Sequence, residues 1–142
     1  MNVEAAYTIA NRRADVAAFA DVFENFCLQH RIETVVLRAF QVAFDELLTN
    51  VVDYGHSDGE DHPIEVRLRL DGETLQAEII DSGAAFNPLS DSAEPDLDLT
   101  IDDRPIGGLG IHIVRTLMDD ISYRRDNDQN RLLLTKRLNQ TA

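Results

Sequence analysis

The sequence predicts an α+β fold in which helices cover one face of a largely antiparallel sheet. Three observations predict it: two long blocks near the N-terminus repeat apolar residues at helical spacing, two pairs of short blocks show apolar–polar alternation, and one further helical block lies between those pairs. In order, Val3, Ala5, Tyr7 and Ile9 alternate weakly and read as an edge strand. From Ala14 to His30, the residues Val16, Phe19, Ala20, Phe23, Phe26 and Cys27 form one helical stripe. A second helix is expected from Glu33 to Tyr54, with Val36, Leu37, Phe40, Ala43, Phe44, Leu47 and Val51 on its apolar side and the turn-rich Gly55-His56-Ser57-Asp58-Gly59 ending it. Ile64, Val66, Leu68 and Leu70 alternate with Glu65, Arg67 and Arg69, Asp71-Gly72 marks a hairpin, and Leu75, Ala77, Ile79 and Ile80 carry the return strand to Asp81. After an irregular region from Ser82 to Gly110, a helix over about 109–118 precedes strands near 120–125 and 131–138. The order is β-α-α-β-β-loop-α-β-β.

The 142 residues predict one domain, 1–142, without internal repeat or linker. Apolar residues at 44% and charged residues at 27% are the proportions of a globular chain. With 13 Lys and Arg against 26 Asp and Glu, the net charge of −13 disfavours nucleic acid and anionic membranes and suits a basic protein partner. Met1-Asn2-Val3-Glu4-Ala5 lacks the basic and apolar regions of a signal peptide, and no apolar stretch approaches the roughly 18 residues that would span a bilayer. The single cysteine, Cys27, sits in an apolar helical stretch and is expected to be a buried thiol. These features together predict a cytoplasmic location.

Three segments carry candidate chemistry. Glu46 and Asn50 stand four apart on the second helix and project from one face. A polar pair among Phe44, Leu47, Leu48, Val51 and Val52 needs a reason, because unpaired burial is costly; the same spacing also fits a solvated surface. Asp81-Ser82-Gly83 ends a strand, where a carboxylate can accept from an exocyclic amine and a glycine lets backbone approach a flat ring; alone, it reads simply as a turn. In Ile106-Gly107-Gly108-Leu109-Gly110-Ile111-His112-Ile113-Val114, three glycines run into an amphipathic helix whose N-terminus offers free N–H groups to phosphates. No Gly-Lys-Ser/Thr follows, so this is no P-loop, and a flexible loop capping a helix remains open.

Taken in order, Glu46-x-x-x-Asn50, Asp81-x-Gly83 and Gly108-x-Gly110 resemble the histidine-kinase-like ATPase superfamily of gyrase, heat-shock chaperones, histidine kinases and mismatch-repair proteins. Within it, Phe44-Asp45-Glu46-Leu47-Leu48-Thr49-Asn50, Asp81-Ser82-Gly83-Ala84-Ala85-Phe86-Asn87-Pro88, Gly107 to Val114 and Leu117-Met118-Asp119 look like the small anti-sigma-factor serine kinases. The resemblance covers nearly the whole chain. It implies the two-layer α/β sandwich of that superfamily, the Bergerat fold, with a mixed, mostly antiparallel sheet covered by helices on one face. It also implies ATP and Mg²⁺ as cofactors. Glu46 would be the general base, Asn50 the Mg²⁺ ligand, and Asp81 the acceptor for the adenine amine, with Gly83 giving the ring room. Gly108, Leu109 and Gly110 would lie at the phosphates. Ala85 departs from the second glycine of the Asp-x-Gly-x-Gly found in many relatives.

The activity implied is a serine/threonine protein kinase and anti-sigma factor that phosphorylates an anti-sigma-factor antagonist of the STAS type. A sigma factor is the second implied partner, and a homodimer is left open. An ATP-binding partner switch with little catalysis is the alternative, and a stand-alone kinase of another pathway a third reading. The stretch from Asp91 to Arg104, with Asp91, Glu94, Asp96, Asp98, Asp102 and Asp103, is expected to be a solvated, mobile lid. Arg104 and Arg115 are the cations nearest the phosphate motif in sequence. His56, Asp58, Asp61 and His62 resemble a metal set in composition, but they occupy a turn without ordered ligand spacing and are expected to be solvated loop. Thr135 is assigned to strand packing.

Overall fold

The computed structural model describes residues 2–91 and 108–138. Strand β1 (Val3–Ala10) leads into helices α1 (Arg13–Gln29) and α2 (Thr34–Tyr54). The hairpin β2 (Pro63–Leu70) and β3 (Thr74–Asp81) follows, then α3 (Pro88–Asp91), α4 (Gly108–Leu117), β4 (Asp120–Asp126) and β5 (Gln129–Arg137). The five strands form one sheet in the order β1-β2-β3-β5-β4, and every pairing is antiparallel. The expected element order is thus reproduced. The short α3 is added within the region expected to be irregular, because Pro88 has the fixed φ of a first helical residue and the Asn87 side chain accepts from Leu89 N at 2.9 Å. The segment expected to be a lid falls outside the described residues from 92 to 107, and Arg104 with it.

Alternation along the strands decides which face is covered. Ile64, Val66, Leu68, Leu75, Ala77, Ile79, Leu132 and Leu134 are buried beneath the helices, while Glu65, Arg67 and Arg69 face outward. Between helices and sheet lies an aromatic cluster from α1 and α2. Phe23 meets Phe44 edge to face at 4.9 Å between ring centroids, and Phe19 meets Phe44 at 5.3 Å. Truncating Phe23 or Phe44 to Ala would cost about 3–5 kcal/mol, since both are almost fully buried. Burial among these residues pushes the Cys27 thiol up to about 12, with the Glu24 charge adding to it, so Cys27 is an inert core residue.

The chain reversals are chemically specified. Arg31 takes a left-handed φ of 58° after α1, and Ile32 N returns to Cys27 O at 2.9 Å, a helix stop that aims the chain into α2. Asp71 Oδ1 accepts from Glu73 N at 2.8 Å and Thr74 N at 2.7 Å, holding the β2–β3 turn. Asn127 and Asp128, with φ of 50° and 60°, make the two-residue β4–β5 hairpin, so β5 starts two residues before the alternation at 131 suggested.

Candidate functional site

Glu46 lies half-buried on α2 between the covered pairs Ala43–Phe44 and Leu47–Leu48, and Asn50 lies half-buried one turn further on. Asn50 Nδ2 donates to Glu46 Oε1 at 3.4 Å. Burial pushes the Glu46 carboxyl above its ordinary range; the Asn50 hydrogen bond opposes this, and the Asp45 charge reinforces it. Helix α4 crosses above, anchored by buried Ile111, Val114 and Met118 next to its C-terminal end. That anchoring brings the main chain of Gly110 onto the Glu46 carboxylate so closely that a Cβ at Gly110 would overlap it. The predicted glycine-rich run therefore serves close approach here: Gly108 opens α4, Leu109 follows within its first turn, and Gly110 passes over Glu46.

A denser polar arrangement occupies the end of the sheet. Asp81, the last residue of β3, is buried and accepts two hydrogen bonds on Oδ1, from Gly83 N at 2.9 Å and from Asn130 Nδ2 at 3.0 Å. Antiparallel register sets Asn130 directly opposite Asp81. Asn130 Nδ2 also donates to Ala84 O at 2.9 Å, while its Oδ1 accepts from Tyr123 Oη at 2.5 Å, Arg125 Nη1 at 3.1 Å and Phe86 N at 3.3 Å. Arg125 Nη1 donates further to Gly83 O at 2.8 Å. Gly83 is packed against the backbone at the end of α2, where a Cβ would stand 2.6 Å from Gly55 O.

Beside these two clusters lies a narrow cleft with a volume of about 40 Å³. Asn50 lines one end and Asp81 with Asn130 the other, and Leu47, Val51, Ile79 and Leu132 supply an apolar floor. Such a site can hold a flat polar-edged ring at Asp81 and an oxygen-rich, charged group beside Asn50. Of the predicted residues, Asn50 and Asp81 line this cleft; Glu46 adjoins it through Asn50, Gly110 lies against Glu46, and Gly83 packs on Gly55. Thr135 lies in the outward phase of β5, its hydroxyl accepting from Gln76 Nε2 at 3.3 Å, in keeping with strand packing. Arg115 donates to Leu89 O, tying α4 to α3.

Asn130, Tyr123 and Arg125 were not singled out in the sequence. One signal pointed to Asn130: it shares the inward phase of Leu132 and Leu134, where an amide stands among buried aliphatics. Tyr123 and Arg125 left none, because their role depends on the β4–β5 register.

The sequence profile of the histidine kinase-like ATPase domain matches residues 9–136. The serine/threonine-protein kinase BtrW of Bordetella bronchiseptica is 30% identical over 112 residues, 79% of this chain and 78% of that protein. The serine-protein kinase RsbW of Bacillus mycoides is 31% identical over 101 residues, and that of Bacillus velezensis 29% over 104; the matches span 61% and 63% of those proteins, less than two-thirds of either. In fold, 99% of the chain superimposes with a TM-score of 0.72 on the crystal structure of the RsbU and RsbW domains of Rv1364c from Mycobacterium tuberculosis, at 15% identity and over 34% of that chain. The chain belongs to the histidine kinase-like ATPase family and, within it, to the serine- and serine/threonine-protein kinases of the BtrW and RsbW type.

Proposed function

We propose that this chain is an ATP- and Mg²⁺-dependent serine/threonine protein kinase and anti-sigma factor that phosphorylates an anti-sigma-factor antagonist in a partner-switching pathway. The observation that carries the reading is that Asn50, hydrogen-bonded to the half-buried Glu46, and the braced Asp81 carboxylate line one cleft. Asp81 Oδ1 is taken by Gly83 N and Asn130, which leaves Oδ2 to accept from the adenine amine. Asn50 spends its amide N–H on Glu46, and its carbonyl oxygen is the hard donor a Mg²⁺ ion takes. When bound, Mg²⁺ would neutralise phosphate charge. The first turn of α4, opened by Gly108 and Leu109, offers backbone N–H groups to the phosphates.

Glu46 accepts the proton of the substrate hydroxyl as its oxygen bonds to the γ-phosphorus, and the bond to the ADP oxygen breaks. A carboxylate held above its ordinary range by burial is the stronger base for that step. The residues required are those of positioning and charge, and no covalent enzyme intermediate is invoked.

The test is to incubate the pure chain with ATP, Mg²⁺ and the antagonist encoded beside it, and to follow phosphate appearing on serine or threonine. Phosphorylation that stops with Glu46→Gln is expected. ATP-dependent binding of the antagonist without any transfer would overturn the kinase reading and leave a partner switch in its place.

A further inference from the structure

The loop between α2 and β2 is exposed over residues 57–61, as its sequence leads one to expect, yet it brings His56, Asp58 and His62 together. Gly59, at a φ of 71°, reverses the chain and returns His62 over His56, so that the two imidazoles stack at 3.5 Å between centroids and 12° between planes. Asp58 Oδ2 lies 2.7 Å from His62 Nε2, and its Oδ1 accepts from Glu60 N at 3.0 Å. One donor atom from each of His56, Asp58 and His62 lies within 4.8 Å of the others. Asp61, the fourth residue of the group, turns away and pairs with Arg12.

Two features separate this cluster from an ordinary polar loop. His56 Nε2 is buried and has no hydrogen-bond partner, which is costly for an imidazole nitrogen unless something else fills the position. The loop is also fixed from behind: His62 N donates to Asn11 Oδ1 at 2.7 Å, and Asn11 N donates to His62 O at 3.0 Å. Its backbone is therefore already bent and pinned before any ligand arrives, and the Glu60 N–H orients the Asp58 carboxylate as an outer partner does around a metal ligand.

We infer that His56, Asp58 and His62 form a binding site for a divalent first-row transition metal, Zn²⁺ in the first instance, that staples the α2–β2 loop to itself. Two imidazoles with one carboxylate are a donor set suited to Zn²⁺ and leave a fourth position for water. Bond lengths of about 2.0–2.2 Å put neighbouring donors of a tetrahedral site roughly 3.3 Å apart, so the present spread of up to 4.8 Å must tighten on binding. The ring stack must tilt open, and the Asp58–His62 hydrogen bond is exchanged for two metal bonds. Mg²⁺ prefers oxygen donors, so this site is chemically distinct from the oxygen-donor position at Asn50.

The experiment titrates the full chain with ZnCl₂ by calorimetry and by competition with a chromogenic chelator, with excess Mg²⁺ present to occupy the many surface carboxylates. One site of micromolar affinity or tighter is expected, with a rise in Tm on binding. His56→Gln and His62→Gln, which keep side-chain bulk, should each weaken Zn²⁺ at least about tenfold, whereas His30→Gln, at the far end of α1, should not. Co²⁺ should give the intense visible bands of a tetrahedral complex, lost in His62→Gln. Failure to bind one equivalent at about 100 μM Zn²⁺, or binding that survives both histidine variants, overturns the site. ADP binding, followed on the same variants, reports separately on the nucleotide cleft.

Discussion

The two ends of the cleft are built on opposite plans. At the sheet end, Asp81 is held by short bonds from Gly83 and Asn130, and Asn130 is itself braced by Tyr123, Arg125 and Phe86. At the helix end, Glu46 has one long hydrogen bond, 3.4 Å from Asn50, and is crowded instead by the backbone of Gly110. A densely braced network resists rearrangement and suits recognition of an unchanging group. A half-buried carboxylate with a single weak partner has the free basicity that proton transfer uses. The difference implies that binding and chemistry are separable by mutation, one at each end.

The largest expected effect breaks the helix end alone. Glu46→Gln keeps the size of the side chain but cannot take the hydroxyl proton, so the phosphoryl-transfer rate should fall by about 10²–10⁴-fold, measured in single turnover against the antagonist. The Kd for ADP should stay within about twofold, because the amide removes no adenine contact. Transfer at the wild-type rate would remove Glu46 from the role of base.

The next contrast sets two glycines against each other. A methyl at Gly110 meets the tip of Glu46, a side chain able to swing aside, and an alanine in a helix gains up to about 1 kcal/mol over glycine. Gly110→Ala should therefore keep its Tm while losing about 100-fold in rate, as displacement of a reacting group by an ångström can cause. A methyl at Gly83 meets the Gly55 backbone at 2.6 Å, which cannot swing aside. Gly83→Ala should lower both stability, by about 1–3 kcal/mol, and nucleotide affinity. Equal losses of Tm in the two variants would dissolve the contrast.

At the sheet end the expected effect is smaller and falls on binding. Asp81→Asn replaces the carboxylate acceptor, and Asn130→Ala strips its Nδ2 donor while removing an acceptor from Tyr123 and Arg125. Either change should cost about 1–3 kcal/mol, a loss of roughly tenfold or more in ADP affinity by titration calorimetry. The rate at saturating ATP should move little. A fall in rate with unchanged affinity would place the adenine elsewhere.

This division also explains which parts were legible in the sequence. Glu46 and Asn50 announce themselves because a helix makes positions four apart neighbours, and Gly83 and Gly110 because a missing Cβ is visible in any register. Asn130 and Arg125 act across strands whose alignment depends on the Asn127–Asp128 hairpin, so local periodicity assigns them a face but no partner. The His56–Asp58–His62 group was passed over because its donors meet only after Gly59 reverses the loop. Helices and strands were readable because packing repeats along them; α3 rests on a single Asn–Pro start and has no period to read.

The smallest effect concerns stability, and its sign is opposite to the kinetic one. Burial raises the folded carboxyl of Glu46 above its unfolded value, so the folded state favours the protonated form. Below the unfolded value, about pH 4.3, the group is protonated in both states and contributes no pH dependence. As pH rises from the unfolded value through the folded one, the unfolded chain ionises first and stability falls; above the folded value both states are charged and the penalty is constant. Glu46→Gln removes that charge while its amide oxygen still accepts from Asn50 Nδ2. The variant should therefore melt slightly higher than wild type at pH 7, and the gap should close near pH 4, as followed by calorimetry on the nucleotide-free protein. If Glu46→Gln melts lower at pH 7, or keeps its advantage at pH 4, the carboxylate is not held against its desolvation, and the contrast between a relaxed sheet end and a poised helix end loses its energetic basis.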